Sequence, residues 1–203
     1  MRVRTEEKRR EIVEAAAALF VEQGYDRTSM SAISERVGGS KATLYGYFAS
    51  KEDLLRAVLE HDVAQEAIDL IGAFPSGKDL EGGLTELGVR YLGGRLSDLS
   101  IANLRTVSTQ PADSKLGQDF YDNVLRPAWQ MLADHIGALM QGGRLRQTDP
   151  WTAAMHWKGL TEGELLEKRL LGALKWPCKK EVERAARLAS EAFLQIYGIE
   201  ETA

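Results

Sequence analysis

The stretch TSMSAISERVGGSKATLYGYFASK, residues Thr28 to Lys51, decides the fold. Thr28 or Ser29 can cap a helix by accepting a backbone N–H, and Met30, Ile33 and Val37 then recur at i, i+3 and i+7. The pattern stops at Gly38-Gly39, a pair that opens backbone angles closed to other residues, and Ser40 can cap a second helix from Lys41 to Phe48. The spacing predicts two short helices around a tight turn, a helix-turn-helix. In the second helix Leu44 and Phe48 face the small core. Lys41, Ala42, Thr43, Gly46 and Tyr47 face outward, with Tyr45 on the shoulder. A helix lying in a DNA major groove needs small residues where its backbone nears base edges and donors where it nears phosphates. Ala42, Thr43 and Gly46 meet the first need. Lys41, Tyr45, Tyr47 and Lys51 meet the second, Lys51 standing with Ser50 at the next helix start. The other reading of the same spacing is a plain helical subdomain.

Outward from this stretch, helix 1 is expected from about Thr5 to Gln23, with Ile12, Ala16, Leu19 and Phe20 on one side and Gly24 as its C-cap. Residues 1 to 4 read either as a basic arm able to reach a phosphate or as a frayed end. After Ser50 a longer helix is expected from Lys51 to about Phe74, just before Pro75, with Leu54, Val58, Val63, Ile68 and Ile71 along one side. The chain has 203 residues, 44% of them hydrophobic, ample for a packed core. Its net charge of −4 is uneven: nine basic against seven acidic residues through Lys51, and an excess of six acidic residues beyond it. So slight a basic excess favours binding as a dimer that doubles the contacts. The single cysteine, Cys178, excludes an internal disulfide and fits a reducing cytoplasm. No signal peptide and no run of about 18 apolar residues is present, so no membrane partner is expected.

The run from Ile12 through Leu55, with ALF near Leu19, Gly24, TSM, SKATLYGYF and SKEDLL, resembles the DNA-binding domain of the TetR family of transcriptional repressors. The resemblance implies that Ser29, Ser31, Lys41, Ala42, Thr43, Tyr45, Tyr47 and Lys51 touch DNA, that the protein binds a palindromic operator as a homodimer, and that a small-molecule effector releases it. Two positions depart from the family pattern. Gly39 stands where a branched apolar residue is usual, removing a core contact. Gly46 stands between the tyrosines where a larger residue is frequent, at a helix cost of about 1 kcal/mol against alanine.

The rest of the chain reads as helices: Asp79 to Leu92, weakened by Gly82, Gly83 and Gly88; Leu96 to Thr109; Asp113 to Gln141, kinked at Pro127; Pro150 to about Leu174; and Lys179 to about Tyr197. No sustained period-two pattern and no internal repeat appear. The expected class is therefore all-α, with a helix-turn-helix DNA-binding domain over residues 1–50 and a larger helical effector-binding and dimerisation domain over 51–203. On the last helix Val182, Ala186, Ala189, Phe193 and Ile196 make an apolar seam. Gly159 and Gly163 on the preceding helix lie beside Leu166 and Leu170. Together these offer a four-helix dimer interface, unless the seam faces the subunit's own core. LRTVSTQ near Arg105, LGQDFYDN from Leu116, GGRLRQTDPWTAA from Gly142 and GLTEGELLEKRLLG from Gly159 resemble the AefR-like type of TetR C-terminal domain.

Tyr91, Phe120, Tyr121, Trp129, Met155, His156 and Trp157 are candidates for an effector pocket. Nucleophile-elbow, zinc-protease, P-loop and dinucleotide fingerprints are absent, so no enzyme and no cofactor is expected. His61, His135, His156 and Cys178 have no short-range ligand spacing, so no metal site is expected. A metal-responsive sensor and a helical protein-interaction module are the alternatives.

Overall fold

A computed structural model describes residues 5–71, 74–75, 78–111 and 114–199, leaving out the side chains of 65–69 and 71. Among the described residues the chain is all-helical: α1 Glu6–Gln23, α2 Met30–Val37, α3 Lys41–Tyr47, α4 Lys51–Ile71, α5 Leu80–Arg95, α6 Asp98–Ser108, α7 Lys115–Phe120, a π-helical turn Tyr121–Leu125, α8 Arg126–Gln141, α9 Pro150–Leu171 and α10 Lys179–Tyr197. Packing groups the chain into two units, residues 1–63 with 98–124, and residues 64–97 with 125–203. A helix-turn-helix lies at the amino-terminal end of the first.

In that first unit Thr5 caps α1 by accepting from the Lys8 N–H, and Gly24 ends it. The apolar side of α1 (Ile12, Val13, Ala16, Leu19 and Phe20) is buried, as are Ile33 of α2, Leu44 of α3, and Phe48. Each large side chain taken out of water this way contributes roughly 1.5–3 kcal/mol. Leu54, Val58 and Val63 of α4 are buried as the periodicity requires. Ile68 and Ile71 of the same stripe lie outside the described side chains, and so do Gly72 and Ala73, through which the helix was expected to reach Phe74. Residues 1–4 and Asp113 also lie outside the described residues. Ile101 of α6, and Leu116 and Phe120 of α7, are buried in this unit.

The second unit is organised around one aromatic core. Tyr91 of α5, Trp129 of α8 and Trp157 of α9 meet ring to ring, with centroids 5.9 Å apart for Tyr91–Trp129 and 5.4 Å for Tyr91–Trp157. Phe193 and Tyr197 of α10 join the same cluster. The glycines expected to weaken α5 do not shorten it: Asp79 caps it, and it continues to Arg95. Gly88 lets α10 approach, because a Cβ there would stand 3.0 Å from the Ala186 methyl.

Two expectations are corrected. The helix expected from Asp113 to Gln141 is not one kinked rod. A π-helical turn, Tyr121–Leu125, separates α7 from α8 and runs on directly into the first turn of α8, where Pro127 falls. And α9 ends at Leu171, with Gly172 in the left-handed region at φ 75°, so Leu174 lies beyond it.

Candidate nucleic-acid interface

The helix-turn-helix is held by side chains that act on the backbone. The Ser29 hydroxyl accepts the Ala32 N–H at 3.1 Å and so caps α2. Thr28, buried, donates instead to the Gly24 carbonyl at 2.8 Å, tying the start of α2 to the end of α1. At the turn Gly38 takes the left-handed conformation, φ 69° and ψ 31°. Gly39 does not share it, contrary to the reading of the pair from sequence, and a Cβ there would meet nothing within 4 Å. What closes the turn is Ser34. Its hydroxyl, buried under α2, donates to the Gly39 carbonyl at 2.7 Å, and the Gly39 N–H returns to the Ser34 carbonyl at 3.1 Å. Sequence reasoning missed this clasp. A serine inside an eight-residue helix, where it competes with the ladder, was the available signal.

Ser40 caps α3 by accepting the Thr43 N–H at 3.1 Å and also lies 2.9 Å from the Thr43 hydroxyl. With Leu44 and Phe48 turned inward, α3 exposes Lys41, Ala42 and Tyr45, with Thr43 and Tyr47 half-buried. Tyr45 is 52% exposed, which leaves its hydroxyl available to a partner. The Tyr47 hydroxyl accepts the Thr5 N–H at 3.0 Å and keeps its own proton to donate. Ser31 is half-buried on α2. A hollow of about 780 Å³ runs beside these groups, between the first turns of α1 and the α2–α3 turn.

Lys51, expected at the DNA, is not a free donor. Its ammonium turns inward to the carbonyls of Tyr25 at 2.8 Å and Thr28 at 3.1 Å, and it sits 4.2 Å from the centroid of the Tyr25 ring. The loop after α1 presents carbonyl oxygens with no helical partner, and the cation settles on them. Burial, then the nearby Glu52 and Asp26 carboxylates, push the Tyr25 phenol up, so it stays neutral beneath the ammonium.

The other candidate residues separate. Tyr91, Trp129 and Trp157 are in the aromatic core, and Met155 packs against it. His156 is exposed, its Nδ1 2.6 Å from the Tyr197 hydroxyl. Phe120 is buried in the first unit, where it helps line a cleft of about 250 Å³ with Arg56 and Asn123, and Tyr121 is 47% exposed. Trp157 is 1% exposed, and its indole N–H has no hydrogen-bond partner among the described residues. Close to it in sequence lies a buried ionic cluster. The Glu162 carboxylate accepts from the Tyr91 hydroxyl at 2.6 Å, the Arg95 Nε–H at 3.1 Å and the Lys158 ammonium at 2.7 Å. Burial pushes this carboxyl up, but Lys158, Tyr91 and Arg95 together outweigh burial and hold it below its ordinary range. No group of three or more histidine, cysteine or carboxylate side chains forms a metal cage among the described residues.

The apolar seam of α10 is corrected. Ala186, Ala189 and Phe193 are buried within their own subunit, and Val182 packs partly against the core there. Periodicity identifies an apolar face without saying which neighbour it meets. The opposite side of α10 exposes Leu188 and Ile196, two turns apart, and α9 exposes Leu160 and Leu171. Leu166 and Leu170 are half-buried, and Gly159 and Gly163 are exposed. Gly163 breaks α9 at φ 42°, ψ −139°, and the wall of a groove of about 550 Å³ between α9 and α10 includes this residue.

A capped, clasped helix pair whose second member keeps an exposed face of small and hydrogen-bonding groups defines a helix-turn-helix regulator of transcription. Residues 12–58 match the description "Bacterial regulatory proteins, tetR family", and residues 82–199 match "AefR-like transcriptional repressor, C-terminal domain". The chain belongs to the TetR family. A TetR-family transcriptional regulator from Mesorhizobium loti shares the fold with a TM-score of 0.89 and 29% identity, over 98% of this chain and 100% of that one. The flavonoid-responsive regulator FrrA is similar at a TM-score of 0.69 and 28% identity, over 97% and 100%. The transcriptional activator FasR of Mycolicibacterium smegmatis is 40% identical over 62 residues, which is 30% of this chain and 28% of FasR. The chain thus spans less than a third of that relative's length. No described helix is long and apolar enough to cross a membrane.

Proposed function

We propose that this protein is a cytoplasmic repressor that binds a palindromic operator as a homodimer and releases it when a small molecule occupies its helical domain. Residues 1–50 read the DNA, and residues 51–203 bind the effector and form the dimer. The observation that carries the reading is the face of α3. Lys41, Ala42 and Tyr45 are exposed, Thr43 and Tyr47 stand at its edge, and the helix is fixed from behind by Leu44, Phe48 and the Ser34 clasp. Ser29, which caps α2, and Ser31 on α2 would approach the phosphates beside it.

Pairing is supported by the exposed leucines and isoleucine of α9 and α10, which a second copy would remove from water. Effector binding is supported by the indole N–H of Trp157, which has no partner among the described residues. A buried donor without an acceptor costs about 1–3 kcal/mol, which an oxygen-bearing ligand would recover. The AefR-like domain is described as a repressor's and FrrA as flavonoid-responsive, whereas FasR is an activator, so repression is the part of the reading that needs its own assay.

The experiment is selection of bound duplex from a random pool by the full-length protein, followed by a gel shift on the recovered sequence with Tyr45→Ala beside the wild type. A palindromic sequence bound by a dimer, and at least a tenfold loss in the variant, is the expected result. Recovery of no sequence by a folded dimer would end the DNA-binding reading. A reporter driven from the selected sequence then distinguishes repression from activation.

A further inference from the structure

The cleft of about 250 Å³ that Phe120 helps to line lies between α4, α7 and the π-helical turn, all of them in the first unit. Leu59, Leu116 and Phe120, each buried, give it an apolar wall. Arg56 of α4, also on the wall, is split between two surroundings. Its Nη2 donates to Glu52 Oε1 at 3.1 Å and lies 3.6 Å from Asp119 Oδ2. Its Nε is buried and has no acceptor among the described residues. The third element of the cleft is itself unusual: single π-helical turns are rare, and they recur at functional sites.

A donor that has left water without gaining an acceptor is destabilised, and an oxygen brought to it recovers the loss. Charge decides which oxygen. Among the described residues of the wall Arg56 is the single cation, and the Glu60 and Asp119 carboxylates stand there with it. A carboxylate ligand would meet two like charges against one cation already engaged by Glu52 and Asp119, whereas a neutral carbonyl offers the acceptor without the repulsion. We infer that this cleft binds a small neutral carbonyl compound, its oxygen on Arg56 Nε and its apolar body against Leu59, Leu116 and Phe120. A primary amide fits best, because its N–H groups also serve the Asp119 or Glu60 carboxylate. The cleft belongs to the first unit and Trp157 to the second, so this site stands or falls apart from the DNA-binding and effector readings.

The probes are benzamide, benzoate and benzamidine, which share one shape and differ in charge, titrated against the full-length protein by saturation-transfer NMR. A ligand of about nine non-hydrogen atoms at ordinary efficiency gives a dissociation constant on the order of 1–10 mM for benzamide. Benzoate should bind at least about tenfold more weakly. Arg56→Lys keeps the charge but removes the donor at Nε, and Val124→Phe fills the cleft from the π-helical turn. Each should abolish the benzamide signal at about 5 mM, and Trp157→Phe should leave it unchanged, with thermal melts checking that every variant folds. The inference is overturned by no benzamide signal in the wild type at about 10 mM, by a signal that survives both cleft variants, or by tighter binding of benzamidine than of benzamide. Loss of the signal in Trp157→Phe alone also overturns it, and gives the amide to the second unit in support of the effector reading.

Discussion

Gly38 and Gly163 both have positive φ, both face open space where a methyl would touch nothing within 4 Å, and yet they do different work. Gly38, at φ 69° and ψ 31°, ends α2 in the ordinary left-handed cap and turns the chain into α3. Gly163, at φ 42° and ψ −139°, sits inside α9 in a conformation that side-chain-bearing residues hardly enter. The first terminates a helix where the sequence already announces a stop. The second interrupts a helix that continues on both sides. A break of that kind persists only where the surroundings hold it, and the residue before it is Glu162, fixed by Tyr91, Arg95 and Lys158. Packing at the turn is local and modest, and packing at the break is long-range and ionic.

Breaking the ionic anchor should have the largest effect. Glu162→Gln removes the buried carboxylate that Lys158 and Arg95 share and is expected to cost about 3 kcal/mol in denaturant unfolding. The same variant tests the titration. Because the folded carboxyl is held below its ordinary 4.5, the unfolded chain takes up the proton first. The stabilisation is complete above that value and is lost as pH falls through the lower, folded one. Wild-type stability should therefore decline with acid below about pH 4.5, and Glu162→Gln should make that decline shallower.

Gly163→Ala comes next, at about 2 kcal/mol, all of it backbone strain. A gain in stability instead would mean that α9 straightens at no cost and that the break is dispensable. Gly38→Ala should cost about 1 kcal/mol, the left-handed penalty for an ordinary residue. Asparagine sharpens the contrast, because it tolerates the left-handed cap but not the geometry at 163: Gly38→Asn should be milder than Gly38→Ala, and Gly163→Asn no milder than Gly163→Ala. Smallest of all, Gly39→Ala should be neutral or stabilising by about 0.5 kcal/mol, since neither its angles nor its neighbours require glycine. Thermal melts of these variants would settle the ranking.

The same contrast explains what was legible beforehand. Caps, a glycine stop, the i, i+3, i+7 spacing of Met30, Ile33 and Val37 and the i, i+4 pair Leu44 and Phe48 are local properties, so α1 to α3 could be read from residues alone. Tertiary choices could not. Ala186, Ala189 and Phe193 form a seam that could serve a partner or the subunit's own core, and only Gly88 and the aromatic cluster on the other side decide it. Gly163 looked like a small residue for close helix approach because glycine in a helical run carries no mark of its φ. Lys51 looked like a free donor because the three carbonyls it serves come from residues 23 to 26 positions earlier. Pro127 was taken for a kink because its place in a first turn depends on the π-helical segment before it.

The Thr5–Tyr47 hydrogen bond links the amide that opens α1 to the far end of α3. A phenol that gives its proton to an anion becomes a better acceptor on its other side. Seating Tyr47 against the sugar-phosphate chain would therefore draw the Thr5 amide in more tightly. Docking through Tyr47 would then register as slowed deuterium uptake at one peptide group, 42 residues away from it along the chain.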